Sequence, residues 1–192
     1  MRHGAVTLLG SALLVWSAAL WAAANSYDDT ISLFRNAGQS ATFFQNSYGY
    51  AVFPNIGQGG LGVGGAFGKG RVYVHGAYVA DTSMTQLSVG AQAGGQDYSQ
   101  IVFFQDERAF REFSKGNFEF GAGVSAVAIT AAAGGSAGTT GANASASGGM
   151  KDARTAGHYH KGLAVFTIVK GGAMYQATLN GQKFSYSARS GE

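Results

Sequence analysis

Apolar residues recur at helical spacing near the start of the chain and at alternate positions further on. One helical stripe lies within residues 28–47 and is formed by Ile31, Phe34, Gly38 and Ala41. This spacing predicts an amphipathic helix, which the glycine at position 38 divides into two shorter ones. A second stripe predicts a short helix that Asp106 caps and Gly116 ends. The chain is therefore predicted to have two or three short helices.

Strands are predicted wherever the apolar period is two. Ala51–Phe53 is a predicted short strand that the following proline ends, and Gly68–Gly70 is a predicted hairpin turn. Residues 101–104 are apolar on both faces, which predicts a central strand, and residues 162–187 predict a meander with a turn at Asn180–Gly181. The fold class is thus mostly β (α+β), a curved antiparallel sheet or barrel of about eight or nine strands.

Glycine is unusually frequent, with 31 residues in the chain and eight of them between positions 57 and 70. In that segment Leu61, Val63 and Phe67 alternate with glycines, so one face is apolar and the other is bare backbone. Each strand glycine costs up to about 1 kcal/mol relative to alanine, so we expect sharply curved strands or close contact between backbones. The predicted structural glycines are Gly59, Gly60, Gly62, Gly64 and Gly65.

Composition and motifs argue against an enzyme and against a nucleic-acid partner. Thirteen basic and ten acidic residues give a net charge of only +3, well short of a dedicated polyanion binder, and the absence of cysteine excludes thiolate chemistry. The strings G-x-S-x-G at 134–138 and G-x-G-x-x-G at 57–62 lack the flanking helices their chemistry requires. His75, His158 and His160 are a weak alternative as metal ligands. We expect no catalytic residue, no metal and no cofactor.

The first 24 residues have the features of an export signal. Arg2 and His3 precede an apolar run, Ala5–Ala24, which ends in the A-x-A pattern of Ala22–Ala24. This predicts a signal peptide cleaved after residue 24 and a periplasmic or secreted protein, with an uncleaved membrane anchor as the alternative. Residues 25–192 are then predicted to form a single domain, in which the Gly/Ala/Ser/Thr-rich tract 131–149 is a strand or a flexible loop.

Four basic residues lie beside predicted turns or strand ends. They are Lys69, Arg71, Lys170 and Lys183. If those turns share one end of the sheet, the side chains form a basic rim for anionic lipid headgroups, each contributing about 1 kcal/mol. Phe34 and Phe44 are candidates for apolar contact with the same lipids. The alternatives are an ordinary scatter of solvated charge and two phenylalanines that pack in the core.

Five segments of this chain resemble, in the same order, the SYLF domain family, also called the Ysc84-type actin-binding domain. They are Gly49–Pro54, Gly59–Gly70, Ser99–Phe104, Asn117–Gly121 and Lys170–Ala177. The resemblance spans residues 28–187 and identifies residues 25–192 as a SYLF-like domain. It implies binding of membrane lipids, phosphoinositides among them, and in fungal members of actin filaments, with residues 28–47 as the lipid-contacting segment. Export would put actin out of reach, and Gln58 stands where many members have a basic residue.

The sequence therefore favours a non-enzymatic, lipid-binding envelope protein that associates peripherally with anionic or phosphoinositide-like membrane lipids. An envelope structural or protein-interaction module that needs no lipid is the main alternative. A small outer-membrane β-barrel is less favoured, because the terminal residues Arg189–Glu192 lack an aromatic residue and the doubly apolar strand at 101–104 fits it poorly.

Overall fold

The computed structural model describes residues 26–120, 127–129, 159–172 and 181–189. The helices are α1 (26–36), α2 (Gly38–Ala41), α3 (Phe43–Asn46) and α4 (Glu107–Ser114). The strands are β1 (Gly49–Val74), β2 (Ala77–Phe104), β3 (Phe118–Glu119), β4 (Val127–Ile129), β5 (Leu163–Gly172) and β6 (Gln182–Ala188). The predicted mostly β fold with a few short helices is confirmed. Segments 1–24, 131–149 and 173–179, for which a signal peptide, a small-residue tract and a strand are predicted, lie outside the described residues.

The long strand β2 is the centre of the sheet. It pairs with β1 along one edge and with both β6 and β5 along the other, while β3 pairs with β6 and β4 pairs with β5. Its first half, from Ala80 to Gln86, pairs with β6, and its second half, from Gln96 to Phe104, pairs with β5. Every described pairing is antiparallel except that of β4 with β5, which is parallel.

The turn of the β1–β2 hairpin lies at His75–Gly76. Both residues have positive φ, 49° and 83°, as a two-residue type I′ turn requires. The prediction of a turn at Gly68–Gly70 is wrong, because these residues continue β1 and pair with Thr82–Met84.

The prediction that Pro54 ends the first strand is also wrong. A register shift between Phe53 and Ile56 places the proline in a bulge, where its missing N–H leaves no gap in the ladder. The Pro54 carbonyl is used instead, accepting a hydrogen bond of 2.7 Å from the Ser99 hydroxyl. The strand therefore continues, with a bend, to Val74.

Glycines allow the two ends of β1 to cross in direct contact. A Cβ on Gly70 would lie 2.6 Å from ring carbons of Phe53 and 2.8 Å from the Val52 carbonyl oxygen. A Cβ on Gly68 would lie 2.6 Å from a side-chain carbon of Ile56. The backbone contact expected from the glycine content thus occurs at these two positions and at Gly49, where a Cβ would collide with the Tyr73 carbonyl oxygen, and all three lie outside the predicted set.

Within the predicted set of structural glycines, Gly60 lies next to the register shift between Leu61 and Val63. A Cβ there would collide with the Cα of Gly64 and the carbonyl oxygen of Val63. A Cβ on Gly65 would lie 3.4 Å from the Gln86 carbonyl oxygen. The requirement for glycine at positions 59, 62 and 64 stays a prediction.

The curled sheet has a hydrophobic core on each face. The inner core includes Phe53, Tyr98, Phe104, Phe113 and Phe184, and α4 contributes Ala109 and Phe113 to it. The predicted cap of α4 is confirmed, since the Asp106 carboxylate accepts a 2.8 Å hydrogen bond from the Ala109 N–H, and Gly116, with φ 75°, follows the helix end. The outer core lies under α1–α3 and includes Ile31, Phe34, Val52, Phe103 and Phe166. Among the described helices, none combines the length and the apolar character needed to cross a membrane.

Candidate functional site

The helices cover only part of the outer face of the sheet, and large apolar side chains are exposed on the rest. Leu87 is 82% exposed, Val63 63% and Phe67 51%. Leu87 is paired with Gly65, and Val63 and Phe67 lie two residues to either side of that glycine. Because residues directly opposite each other, and residues two apart on one strand, point to the same face, the three side chains share one surface. We call Val63, Phe67 and Leu87 the apolar patch.

Two lysines border the apolar patch on the same face. Lys69 lies two residues beyond Phe67 on β1, and Lys183 on β6 pairs with Thr85, which itself pairs with Phe67. The Lys183 ammonium lies 3.5 Å from the Glu119 carboxylate, and both side chains are about half exposed or more. Such exposed pairs contribute little, about 0–1 kcal/mol. The ammonium of Lys183 is therefore available to a ligand at small cost.

Beyond Lys69, the outer face continues into a row of tyrosines with arginines stacked on it. Tyr50 and Tyr73 are stacked with ring centroids 5.2 Å apart, and Tyr78 lies 5.7 Å from Tyr73. We call these three residues the tyrosine row. The guanidinium carbon of Arg71 lies 4.3 Å from the centroid of the Tyr27 ring of α1 and 4.8 Å from that of Tyr78. Arg71 thus links the first helix to the sheet.

The phenols of this region stay protonated well above neutral pH. Burial, together with the Asp81 carboxylate that accepts a 2.6 Å hydrogen bond from its hydroxyl, raises the pKa of Tyr78 to about 12. Burial also raises the pKa of Tyr50 and of Tyr73, against the opposing effects of Arg35 and Arg71 respectively. The row therefore presents neutral hydroxyl groups beside cationic guanidinium groups.

Lys170 is separate from the other predicted headgroup contacts. Its ammonium donates hydrogen bonds to the Pro54 carbonyl oxygen at 2.7 Å and to Asn55 Oδ1 at 2.8 Å. Burial lowers the pKa of Lys170, while the nearby Asp97 acts in the opposite direction. The structure thus brings Lys69, Arg71 and Lys183 onto one face and places Lys170 at the bulge of β1. Lys69 and Arg71 lie within a strand and not at a hairpin tip, since the turn is at residue 75.

The two predicted lipid-contacting phenylalanines are part of the outer core. Phe34 lies on the buried face of α1 and is fully buried. Phe44 is partly buried, with its ring 5.1 Å from that of Tyr50 and 4.9 Å from that of Phe103. Aromatic residues on the apolar stripe of a helix pack against the sheet below it. Both phenylalanines therefore have the surroundings expected of core residues. Their contact with lipid stays a prediction, while Leu33 is the large apolar side chain that α1 exposes, at 49%.

A cluster of neutral polar side chains lies inside the curled sheet. Gln182 accepts a 3.0 Å hydrogen bond from the Gln100 amide nitrogen, and its own amide nitrogen donates to Gln100 Oε1 at 3.3 Å. The same nitrogen lies 3.4 Å from Gln86 Oε1 and 3.5 Å from the Tyr98 hydroxyl. Burial strongly raises the pKa of Tyr98. Gln58 is buried as well, with 7% of its surface exposed. These residues were not predicted, although alternation of glutamine with apolar residues in a strand is a signal for them.

The histidines do not form a cluster in the described part of the chain. His75 lies in the hairpin turn with its ring 4.8 Å from that of Tyr48, and His158 is outside the described residues. Among the residues that the structure describes, no group of three or more His, Asp or Glu side chains could hold a metal ion.

Comparison with known proteins places most of these elements in one family. Residues 85–190, which include most of β2 and all of α4, β5 and β6, match the family described as Ysc84, Las17-binding protein actin regulator. The chain is also similar to a protein named Beta cell expansion factor A from Aeromonas veronii. The two are 26% identical over 173 residues, which is 84% of this chain and 55% of that protein. The chain thus spans little more than half the length of this relative.

Proposed function

The chain belongs to the Ysc84 (Las17-binding protein actin regulator) family, also called the SYLF domain family, and on that premise we propose that it binds lipids at a membrane surface. Family members bind lipids and actin, and the predicted export signal favours the lipid. The contact surface in this proposal is the apolar patch with Lys69 and Lys183. The protein associates peripherally, as an exported protein that needs no cofactor and has no catalytic role.

One observation carries this proposal: three large apolar side chains are exposed side by side next to two lysines. Soluble proteins seldom expose contiguous apolar surface without a partner for it. Full transfer of a Val, Leu or Phe side chain from water to an apolar medium contributes roughly 1.5–3 kcal/mol. Leu87 has the most to gain, because 82% of it is exposed. The apolar patch alone can therefore contribute several kcal/mol to membrane association.

The lysines add a contribution of a different kind. Each basic residue close to an anionic bilayer contributes about 1 kcal/mol, and salt weakens this attraction, since the Debye length is about 8 Å at physiological ionic strength. Burial of apolar surface is not screened by salt. Binding through this surface should therefore have a salt-resistant part from the apolar patch and a salt-sensitive part from Lys69 and Lys183.

Vesicle flotation tests the apolar part. The triple variant Val63→Thr, Phe67→Thr, Leu87→Thr keeps β-branched residues in the strands and removes the apolar surface. We expect it to lose at least tenfold in affinity for vesicles of phosphatidylcholine and phosphatidylglycerol at high salt. Leu33→Gln removes the exposed leucine of α1, the other segment for which lipid contact is predicted, and so separates the contribution of α1 from that of the apolar patch. Native-like binding by a folded triple variant would refute the patch as the contact surface.

Single charge changes test the basic part at low salt. Lys69→Ala should weaken binding to vesicles that contain phosphatidylglycerol about fivefold, since one lysine contributes about 1 kcal/mol, and should leave binding to pure phosphatidylcholine unchanged. Lys115→Ala removes the same charge from the end of α4 and serves as the control. If the native protein floats with neither kind of vesicle, the alternative of an interaction module without lipid is favoured.

A further inference from the structure

The neutral polar cluster inside the curled sheet lies on the face opposite to the apolar patch. Tyr98 belongs to the inner core, and Gln100, two residues further along β2, points to the same face. Gln100 is paired with Thr167 of β5, and residues directly opposite each other in an antiparallel pair share a face. Both of these side chains are fully buried. They are therefore neighbours in the interior, beside Gln182 of β6, which is hydrogen-bonded to Gln100.

Several hydrogen-bond donors of this cluster have no acceptor. The Thr167 hydroxyl has no hydrogen-bond partner among the residues that the structure describes. The Tyr98 hydroxyl accepts from the Gln182 amide nitrogen at 3.5 Å, and no described acceptor takes its own proton. The Gln100 amide nitrogen uses one of its two N–H groups, for Gln182 Oε1 at 3.0 Å. Two hydroxyl groups and one N–H group are therefore left without an acceptor in the described part of the chain.

Gln182 does not remove this shortage, because its own amide nitrogen is already shared among several acceptors. That nitrogen lies 3.3 Å from Gln100 Oε1, 3.4 Å from Gln86 Oε1 and 3.5 Å from the Tyr98 hydroxyl. All three distances exceed the usual N–H···O distance of about 2.9–3.0 Å. Because buried polar groups in folded proteins nearly always have a partner, a group of unused donors at this place indicates a bound acceptor.

We propose that Thr167, Gln100 and Tyr98 bind the oxygen atom of a small uncharged molecule inside the curled sheet. Such an oxygen accepts hydrogen bonds from two donors and donates its own proton to a neighbouring oxygen, and buried water molecules typically make about three bonds of this kind. Water and a small alcohol are the two sources of this chemistry. The inference does not rest on the proposed function, since the lipid contact surface is on the opposite face of the sheet.

The ligand is uncharged because its surroundings offer no charge to balance an ion. The described members of the cluster are amides and hydroxyl groups, and an ion beside them would lose its hydration without gaining an ion pair. Burial already raises the pKa of Tyr98 far above the usual value of a tyrosine, so this interior disfavours negative charge. A phosphate or a carboxylate group therefore does not fit the site.

Thr167→Val tests the site through the direction of its effect on stability. If the hydroxyl has no partner, an apolar group of the same shape leaves the urea midpoint unchanged or raises it. If the hydroxyl binds the internal oxygen, the midpoint falls. Thr82→Val is the matched control for a hydroxyl with a partner, because Thr82 donates to the Ser185 carbonyl oxygen at 2.6 Å on the same face. We expect both midpoints to fall, and an unchanged or higher midpoint for Thr167→Val overturns the inference.

NMR of the unmodified full chain detects the occupant without any substitution. An internal water gives nuclear Overhauser cross-peaks from water to the Thr167 methyl group and to the Gln100 side-chain amide. If the occupant is an alcohol, these peaks are absent and titration with glycerol shifts the same two signals in a saturable way. The exposed Gln105 side-chain amide is the control and should show no saturable shift. Either result supports the site, and the absence of both overturns it, whether or not the protein binds vesicles.

Discussion

Replacing Gly70 with alanine would place a methyl group where the two ends of β1 cross. Its carbon would lie 2.6 Å from the Phe53 ring and 2.8 Å from the Val52 carbonyl oxygen. Normal carbon–carbon contact begins at about 3.5 Å, so Phe53 or the strand must move by roughly 1 Å. The Phe53 ring has little freedom to do so, because it is fully buried and packs against Phe184 with centroids 5.7 Å apart.

The expected effect of Gly70→Ala is the difference between two opposing contributions. Overpacking a well-packed core costs about 1–3 kcal/mol. Alanine also restricts the unfolded chain, which stabilises the folded state by about 0.4–1 kcal/mol. The free energy of unfolding should therefore fall by about 1–2 kcal/mol. Gly57→Ala is the matched control, since its Cβ would lie 3.5 Å from a carboxylate oxygen of Asp97, an ordinary contact distance.

Urea denaturation of the two variants measures this difference. Gly70→Ala should move the midpoint to lower urea with an unchanged slope, which is the signature of lost stability without a change in the surface exposed on unfolding. Gly57→Ala should be neutral or slightly stabilising. Equal stabilities of the two variants, within about 0.5 kcal/mol, would refute the argument that the ends of β1 are in direct contact at Gly70.

Two further predictions concern the interior and the tyrosines. Gln182→Leu leaves Gln100 without its buried partner and should lower the free energy of unfolding by about 1–3 kcal/mol in urea denaturation, whereas the exposed Gln105→Leu should change it little. The pKa values of Tyr78 and Tyr159 are raised to about 12, in both cases chiefly by burial, so the folded state holds protons that the unfolded state loses above pH 10. This contribution to stability is complete below pH 10 and is lost between pH 10 and 12. Tyrosinate absorbance of the folded protein, measured as the pH rises, tests the prediction. If all of the absorbance appears near pH 10, the prediction is wrong.

Features that depend on neighbouring residues alone could be predicted from the sequence. The helical stripe that contains Phe34, the cap at Asp106 and the stop at Gly116 are local signals, and the structure has each of them. The predicted strand at Ala51–Phe53 likewise lies within β1. Such signals are satisfied within one or two turns of chain, so distant parts of the fold do not override them.

Features set by distant partners could not be predicted. Pro54 continues a strand because Ser99 uses its carbonyl group, and Gly68–Gly70 continues a strand because Thr82–Met84 pairs with it. The turn itself uses a histidine with positive φ, a residue with a weaker turn preference than glycine. The candidate site depends on register in the same way.

The apolar patch illustrates how register creates a surface. The alternation of Val63 and Phe67 with glycine indicates an apolar face, and only the pairing of Leu87 with Gly65 completes it. A distant contact also places Lys170 away from the other lysines. Its hydrogen-bond partner, the Pro54 carbonyl group, lies 116 positions away in the chain. Its separation from Lys69 and Lys183 therefore has no signal in the local sequence.

The central position of β2 sets the order in which the fold can be completed during synthesis. The β1–β2 hairpin has neighbouring partners and can close as soon as residue 104 is available, whereas Ala80 pairs with Ala188 and Gln96 with Gly172. Until those late strands are made, one whole edge of a 28-residue strand remains without partners. An open edge of this length is a template for pairing with other chains. Nascent or partly unfolded molecules of this protein therefore depend on rapid completion of β5 and β6, or on a chaperone that shields β2, to avoid aggregation.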